Sequence, residues 1–395
     1  APGISNYYDG GEGDFDLLTY ASSNIHSLMQ REYITSDGIR SKASNQSEAS
    51  GPVRIFAGTG QIERLSTDGN SVVATDTAVN IEQFTGSDFD DTLYGGSGSY
   101  TEIDGGLGND ILYGEQVGRF VGGGEGDDVI YAGTGGARYD GGGGFDTLYL
   151  TEVPDVRWLV RIDGSLGSSL RAFNALEGNE LATPDGSLQN ESGPSVIASG
   201  NVENFDVYYA GDHDDYFDIR ERDLIVIHAG GGNDFILGNS GGDGNPSFEL
   251  YGEAGDDQIR IKNSGLASGG EGDDTIEIDA GLSQTIQVMG DDGDDIIILR
   301  SGEVHIDGGA GRDTLSANQR SIFAGLDVDL LTGVIETFDD RERFSGTVQN
   351  VEELIGADAY PNILRGGEAG ERLIGGSSND TLEGDRKSTR LNSSH

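Results

Sequence analysis

Between residues 105 and 149 a large apolar residue returns at the same place in every nine: Leu112, Val121, Ile130, Tyr139 and Leu148. Polar and glycine-rich stretches separate them. Read in nines, GGLGNDILY (105–113), GGEGDDVIY (123–131) and GGGGFDTLY (141–149) follow G-G-x-G-x-D-x-U-x, where U is large and apolar. GEQVGRFVG (114–122) and AGTGGARYD (132–140) keep the apolar eighth position but carry Arg119 and Ala137 where aspartate would stand. Each nine predicts a tight glycine loop and a short strand, and two nines close one coil of a flattened solenoid. The eighth-position residues then point inward from both strands into a thin stacked core. The predicted fold is all-β, a parallel β-roll built from nonapeptide repeats.

The glycines suit loops that visit positive φ. The sixth-position aspartates Asp110, Asp128 and Asp146 recur at steps of 18, one per coil. Stacked strands lie about 4.8 Å apart, and Ca²⁺ takes six to eight oxygens at about 2.3–2.6 Å. One ion therefore fits between two stacked loops, shared by Asp110 and Asp128, and the next by Asp128 and Asp146. The alternative is a calcium-free solenoid whose aspartates make turn hydrogen bonds. Three intact nines in register favour calcium. The candidate ligating loops in this roll comprise Asp91 and the positions Gly105, Gly108, Asp110, Gly123, Gly126, Asp128, Gly141, Gly144 and Asp146.

The pattern returns at Asp215, Asp234, Asp257, Asp274, Asp295 and Asp313, in steps of 19, 23, 17, 21 and 18. Its best loops contain Gly269 and Gly272, Gly293, and Gly308 and Gly311; a last loop carries Asp380. The longer steps require bulged loops, as at 241–249, where Pro246 would break strand pairing. Intervening half-turns lack the motif, so one edge should carry metal and the other little. Openings at 9–18, 140–149 and 307–316, and Asn-x-Glu re-entries at 80–82, 201–203 and 350–352, suggest three larger units. Asp14 and Asp16 in the first opening fit the register less well. The expected segments are 1–79 (partial opening and excursion), 80–149 (first roll), 150–200 (excursion), 201–316 (second roll), 317–349 (excursion) and 350–384 (start of a third roll). Strands or hairpins are expected at 53–58, 157–163 and 326–333, and a short helix at 173–182. The excursions are expected to pack against the side of the rolls. Residues 385–395 break the composition and read as a translated sequencing adapter, with the natural chain continuing beyond Gly384.

Composition sharpens this. With 70 acidic against 24 basic residues the net charge is −46, which argues against nucleic acid and anionic membranes as partners. A chain so charged and only 34% hydrophobic borders on disorder unless a cation neutralises it. There is no cysteine, so calcium would serve where disulfides otherwise do. No run of 18 apolar residues predicts a membrane span.

Catalytic patterns are weak. There is no HExxH; His213, beside Asp212, Asp214 and Asp215, reads as a solvated loop histidine. Ser240 in GNSGG (238–242) lacks the helix that a nucleophile elbow needs. Doublets such as Asp127/Asp128 and Asp294/Asp295 resemble paired glycosidase carboxylates, but the register makes the fifth position only an exposed neighbour of the sixth. Trp158, Phe173, Tyr208, Tyr209, Tyr216 and Phe217 suit packing of the excursions better than a sugar platform.

These loops resemble the RTX, or hemolysin-type calcium-binding repeat, family of secreted bacterial proteins. The resemblance implies Ca²⁺ held by aspartates and backbone carbonyls of two loops on one edge, and export by type I secretion with an uncleaved C-terminal signal. The expected function is a non-enzymatic, extracellular or cell-surface calcium-binding repeat region. It would fold on external Ca²⁺ and serve a structural or adhesive role, with cell-surface polysaccharide or surface proteins as partners. The alternative is the repeat region of a larger exoenzyme: a protease, a lipase, or a polysaccharide epimerase or lyase.

Overall fold

The structure, a computed structural model, describes residues 7–9, 17–19, 51–79, 81–96, 101–150, 156–162, 168–174, 196–220, 224–239, 247–279, 281, 284–317, 325–337, 344–367, 370–384 and 390–393. Among them every regular element is a β-strand, and most pair in parallel, as a β-solenoid requires. The chain divides into two units: residues 1–156, 167–174 and 192–209, and residues 157–166, 175–191 and 210–395.

In the first unit one column of parallel strands comprises Thr92–Tyr94, Ile111–Tyr113, Val129–Tyr131, Thr147–Tyr149 and Val207–Tyr209. The other comprises Leu17–Thr19, Gln83–Thr85, Glu102–Leu107, Phe120–Glu125, Arg138–Gly143 and Val202–Glu203. Leu93, Leu112, Ile130 and Leu148 from one column, and Phe84, Ile103, Val121 and Tyr139 from the other, are all buried. One inward residue per strand supplies this core, as the eighth-position pattern predicts. On the outside, Phe56, Tyr94, Tyr113, Tyr131, Tyr149 and Tyr209 form a continuous ring stack with centroids 4.7–4.9 Å apart. That spacing is the strand spacing itself.

The second unit repeats the plan. One column contains Ile225–Gly231, Ser247–Ala254, Ser264–Glu271, Thr285–Asp292, the end of Ile296–Asp307 and Phe344–Gln349. The other contains Tyr216–Ile219, Phe235–Gly238, Gln258–Ile261, Thr275–Asp279, the start of Ile296–Asp307, Thr314–Ser316, Glu353–Ile355 and Arg372–Gly376. Arg390–Ser393 pair in parallel with Arg372–Gly376. Irregular steps leave the glycine loops untouched: Gly252–Asp257, Gly269–Asp274, Gly290–Asp295 and Gly308–Asp313 span the same interval. The extra residues fall in sequence outside these loops, after one strand and before the next, as between Thr275–Asp279 and Thr285–Asp292.

Where the excursions fall among the described residues, their strands extend the strand columns and do not lie against the side of the rolls. Val53–Phe56 pairs in parallel with Thr92–Tyr94 and starts an antiparallel meander through Gln61–Leu65 to Val72–Val79. Leu159 to Ile162 pair with Tyr216 to Ile219. Leu326–Asp329 pairs with Ile363–Arg365 and, antiparallel, with Val334–Thr337. An end strand offers unpaired N–H and C=O groups, and a neighbouring excursion strand satisfies them better than lateral packing would. The expected helix is not found where it can be checked: Phe173 and Asn174 belong to the strand Ser169–Asn174, and 175–182 lie outside the described residues, as do Asp14 and Asp16.

Candidate metal centre: the carboxylate edge

Each glycine loop brings its sixth residue back under the preceding coil. Asp110 N–H donates to Asp128 Oδ1 at 2.8 Å and Asp128 N–H to Asp146 Oδ1 at 2.8 Å. In the second unit Asp215, Asp234, Asp257, Asp274 and Asp295 donate to Asp234, Asp257, Asp274, Asp295 and Asp313 in turn, at 2.6–2.9 Å. None of these aspartates, nor Asp91, is more than 2% exposed. Excursion strands supply the first donors: Val53 N–H to Asp91 Oδ1 at 2.6 Å and Trp158 N–H to Asp215 Oδ1 at 2.5 Å.

The second carboxylate oxygen is different. Oδ2 of Asp110, Asp128, Asp234, Asp257, Asp274, Asp295, Asp313 and Asp380 is buried without a hydrogen-bond donor. A methyl group on Gly105 would collide with both Asp110 Oδ2 and the carbonyl oxygen of Gly123 in the next coil. The same pairing recurs at Gly123 (Asp128, Gly141), Gly252 (Asp257, Gly269), Gly269 (Asp274, Gly290) and Gly290 (Asp295, Gly308). Two acceptors therefore converge with nothing between them, which in a buried site calls for a cation. Burial pushes these carboxyls up in the metal-free chain: Asp128 and Asp274 to about 7, Asp257 to about 8, Asp110 and Asp234 to about 10, and Asp146 and Asp295 to about 6, with neighbouring carboxylates adding to the rise. Asp91 is better served, since Ser87 gives its backbone N–H to Oδ2 and its hydroxyl to Oδ1. Asp215 Oδ2 accepts from Gly211 N–H at 3.4 Å.

Asn362 shows what the gap requires. It occupies the aspartate place of the next ladder: Leu326 N–H donates to its Oδ1 at 3.0 Å, and its own N–H donates to Asp380 Oδ1 at 2.9 Å. Its Nδ2 faces Gly356 as Oδ2 faces the other first glycines. This NH₂ donates to the Gly375 carbonyl at 2.7 Å and to Asp380 Oδ1 at 2.8 Å. The NH₂ stands where the aspartate rungs place Oδ2 and donates to the next coil's first-glycine carbonyl, a contact that a carboxylate oxygen cannot make.

The family model for the RTX calcium-binding nonapeptide repeat matches residues 80–99, 102–116, 123–148, 226–244, 289–319 and 362–386. These segments are RTX repeats. Such repeats are calcium-binding, and the donor set on the carboxylate edge fits that ion. No curated protein matches the chain.

The RTX loops carry a second ladder that sequence reading treated as inert. Fifth-position side chains accept from the next coil, opposite in direction to the sixth. Asn109 N–H donates to Asp90 (2.9 Å), Asp127 to Asn109 (3.0 Å) and Phe145 to Asp127 (2.9 Å). Asn233, Asp256, Asp273, Asp294 and Arg312 do likewise to Asp214, Asn233, Asp256, Asp273 and Asp294. The fifth position is therefore structural, not merely exposed. Its signal was legible: acceptors stand there in every coil but the last of each run, where Phe145 and Arg312 have no further glycine loop to receive.

Gly126, at φ 130°, represents the fourth-position glycines. A Cβ there would strike the carbonyl of Gly108 one coil away, and Gly144, Gly272, Gly293 and Gly311 repeat the contact on Gly126, Gly255, Gly272 and Gly293. Among the described residues no three His, Cys, Asp or Glu side chains gather into a conventional metal cluster; the edge presents one carboxylate per coil beside backbone carbonyls instead. His213 Nδ1 contacts the Asp212 carbonyl at 2.8 Å. Trp158, Tyr208, Tyr216 and Phe217 are buried, which fits packing and not a sugar platform. Ser240 and Pro246 lie outside the described residues. No helix among the described residues is long and apolar enough to cross a membrane.

Proposed function

We propose that this chain is a secreted or cell-surface region that folds when external calcium fills its carboxylate edges, and that it acts structurally or adhesively without catalysing a reaction. Each ion would sit between consecutive coils, taking Oδ2 of the sixth-position aspartate and the carbonyl of the next coil's first glycine. The observation that carries this reading is the contrast between Asn362, whose NH₂ donates to the next coil's first-glycine carbonyl, and the aspartate rungs, whose Oδ2 stands in that place without a donor. Without metal, carboxylates about 4.8 Å apart repel by roughly 3–4 kcal/mol per pair at an effective dielectric of about 20, and the cost accumulates along the ladder. Binding free energy then becomes folding free energy. Millimolar calcium outside the cell would favour the roll, and low cytosolic calcium the extended chain that a secretion channel needs. Limited proteolysis tests this: the chain should resist cleavage in millimolar calcium and be digested throughout in chelator. Equal resistance in both would contradict it.

A further inference from the structure

Both long ladders end in the same short loop. The strand pairing places Val202 on Tyr139 and Val207 on Thr147, so residues 204–206 stand where Gly141–Asp146 stand one coil earlier. Likewise Val348 pairs with Ile306 and Glu353 with Thr314, so residues 350–352 replace Gly308–Asp313. The six-residue glycine loop has become Asn-x-acid: Asn204-Phe205-Asp206 and Asn350-Val351-Glu352. Asn204, not Asn201, is thus the counterpart of Asn350, and the Asn-x-Glu re-entries seen in the sequence are not equivalent positions.

The two loops share their details. Asn204 and Asn350 adopt φ of 56° and 51°, a conformation asparagine tolerates better than most side chains. Each is tied down by its amide, Asn204 Nδ2 to Asp140 Oδ1 at 2.7 Å and Asn350 Nδ2 to Asp307 Oδ1 at 2.7 Å. Each turns its carbonyl to the preceding first glycine: a methyl on Gly141 would collide with Asn204 O, and one on Gly308 with Asn350 O. The acid two residues later takes the role of the next aspartate. Asp146 N–H donates to Asp206 Oδ2 at 2.9 Å, and Asp313 N–H to Glu352 Oε2 at 2.9 Å. In the second copy Asp313 is fully buried and its Oδ2 lacks a donor, although no second glycine loop follows.

The structure assigns a closing divalent-cation site to each ladder, formed by Asp313 with the Asn350 carbonyl and Glu352, and by Asp146 with the Asn204 carbonyl and Asp206. This rests on the reading that the glycine-loop edges bind calcium, and it extends that site to loops without the repeat motif. The closing loop does three things: it ends the coil stack, supplies the missing carbonyl, and neutralises the last buried carboxylate through its ion. A roll can therefore stop, admit an excursion and restart without leaving a buried charge exposed at its end.

The test is ion counting by native mass spectrometry on the full chain in calcium. Glu352→Gln keeps an acceptor for Asp313 N–H but removes the charge. It should hold one ion fewer than wild type, as should Asp206→Asn, and the double variant two fewer. Glu336→Gln, at an exposed position outside the ladders, should keep the full count. Unchanged counts in both ladder variants would overturn the closing sites while leaving the glycine-loop sites intact; a wild type without calcium would overturn the calcium reading itself. Should a variant not fold, an anomalous difference map of wild-type crystals grown with calcium decides. A peak between Asp313 and Asn350 supports the assignment, and density confined to sites between glycine loops refutes it.

Discussion

The rung at Asn362 and the rung at Asp274 differ by one atom type in the side chain and by everything that follows from it. Each immediately precedes a strand at the aspartate place of its own ladder, and both accept the preceding coil's amide through Oδ1, from Leu326 and from Asp257. Asn362 then donates through Nδ2 to the carbonyls of Ala357, Tyr360 and Gly375, so its rung is complete. Asp274 presents an oxygen to the same surroundings and finds no donor. A buried acceptor left unsatisfied costs about 1–3 kcal/mol, and more when charged. Among the described rungs, Asn362 thus closes without metal where most aspartates do not, and the comparison isolates what a cation would contribute.

Substitutions can break that comparison from either side. Asp274→Ala should have the largest effect, because it strands the Asp257 amide in a buried setting and removes an ion ligand. A loss of about 3 kcal/mol or more in calcium is expected, read as a lower midpoint in urea. Asp274→Asn should be milder, costing an ion but gaining stability in chelator; if it matched alanine under both conditions, the donor role drawn from Asn362 would be wrong. The reverse change, Asn362→Asp, removes the one buried NH₂ that serves these carbonyls and should destabilise the chain by about 2–4 kcal/mol in chelator. In calcium it should recover and bind one additional ion, measurable by equilibrium dialysis.

Acid offers a metal-free way to relieve the same penalty. Burial raises the folded-state carboxyls of Asp128, Asp257, Asp274 and Asp295 to about 7, 8, 7 and 6, above the ordinary value near 4. The folded chain then binds more protons than the unfolded one, so without metal its stability is fully present below about pH 4 and is lost as pH rises through 6–8. In chelator, β-structure should increase on acidification from pH 8 to 5, whereas calcium-loaded protein should lose ions over the same range. A chelated chain that unfolds further on acidification would contradict the assignment. The smallest expected effect lies away from the edge: Tyr131→Ala removes two ring contacts, with Tyr113 and Tyr149, and should cost about 1–2 kcal/mol with the ion count unchanged.

Much of the fold was legible because the repeat states it twice, once in the eighth-position apolar residues and once in the glycine cadence. Leu112, Val121, Ile130, Tyr139 and Leu148 are buried where that pattern turns them inward. The step of 18 likewise puts Asp110, Asp128 and Asp146 in one column, and the structure has them hydrogen-bonded in one column. What escaped depended on partners distant in sequence. Nothing local to Val53 or Leu326 says that their strands pair with Thr92–Tyr94 and Ile363–Arg365. Asn362 was passed over because only aspartate was sought at the sixth position, and the fifth-position ladder because a run of Asp and Asn was taken for solvated surface. Asn204 and Asn350 were hidden by loops three residues shorter than the repeat, which shift the register on which any spacing rule depends.

The most direct test is a calcium titration of the whole chain followed by far-ultraviolet circular dichroism, with Asp274→Asn alongside. If calcium bridges acceptors that otherwise repel, β signal should be weak in chelator and appear cooperatively as calcium is added. The asparagine variant should retain more of that signal at zero calcium than the wild type. Full β signal in chelator, equal in both proteins, would mean that the orphaned oxygens are tolerated without an ion and that calcium does not hold the roll together.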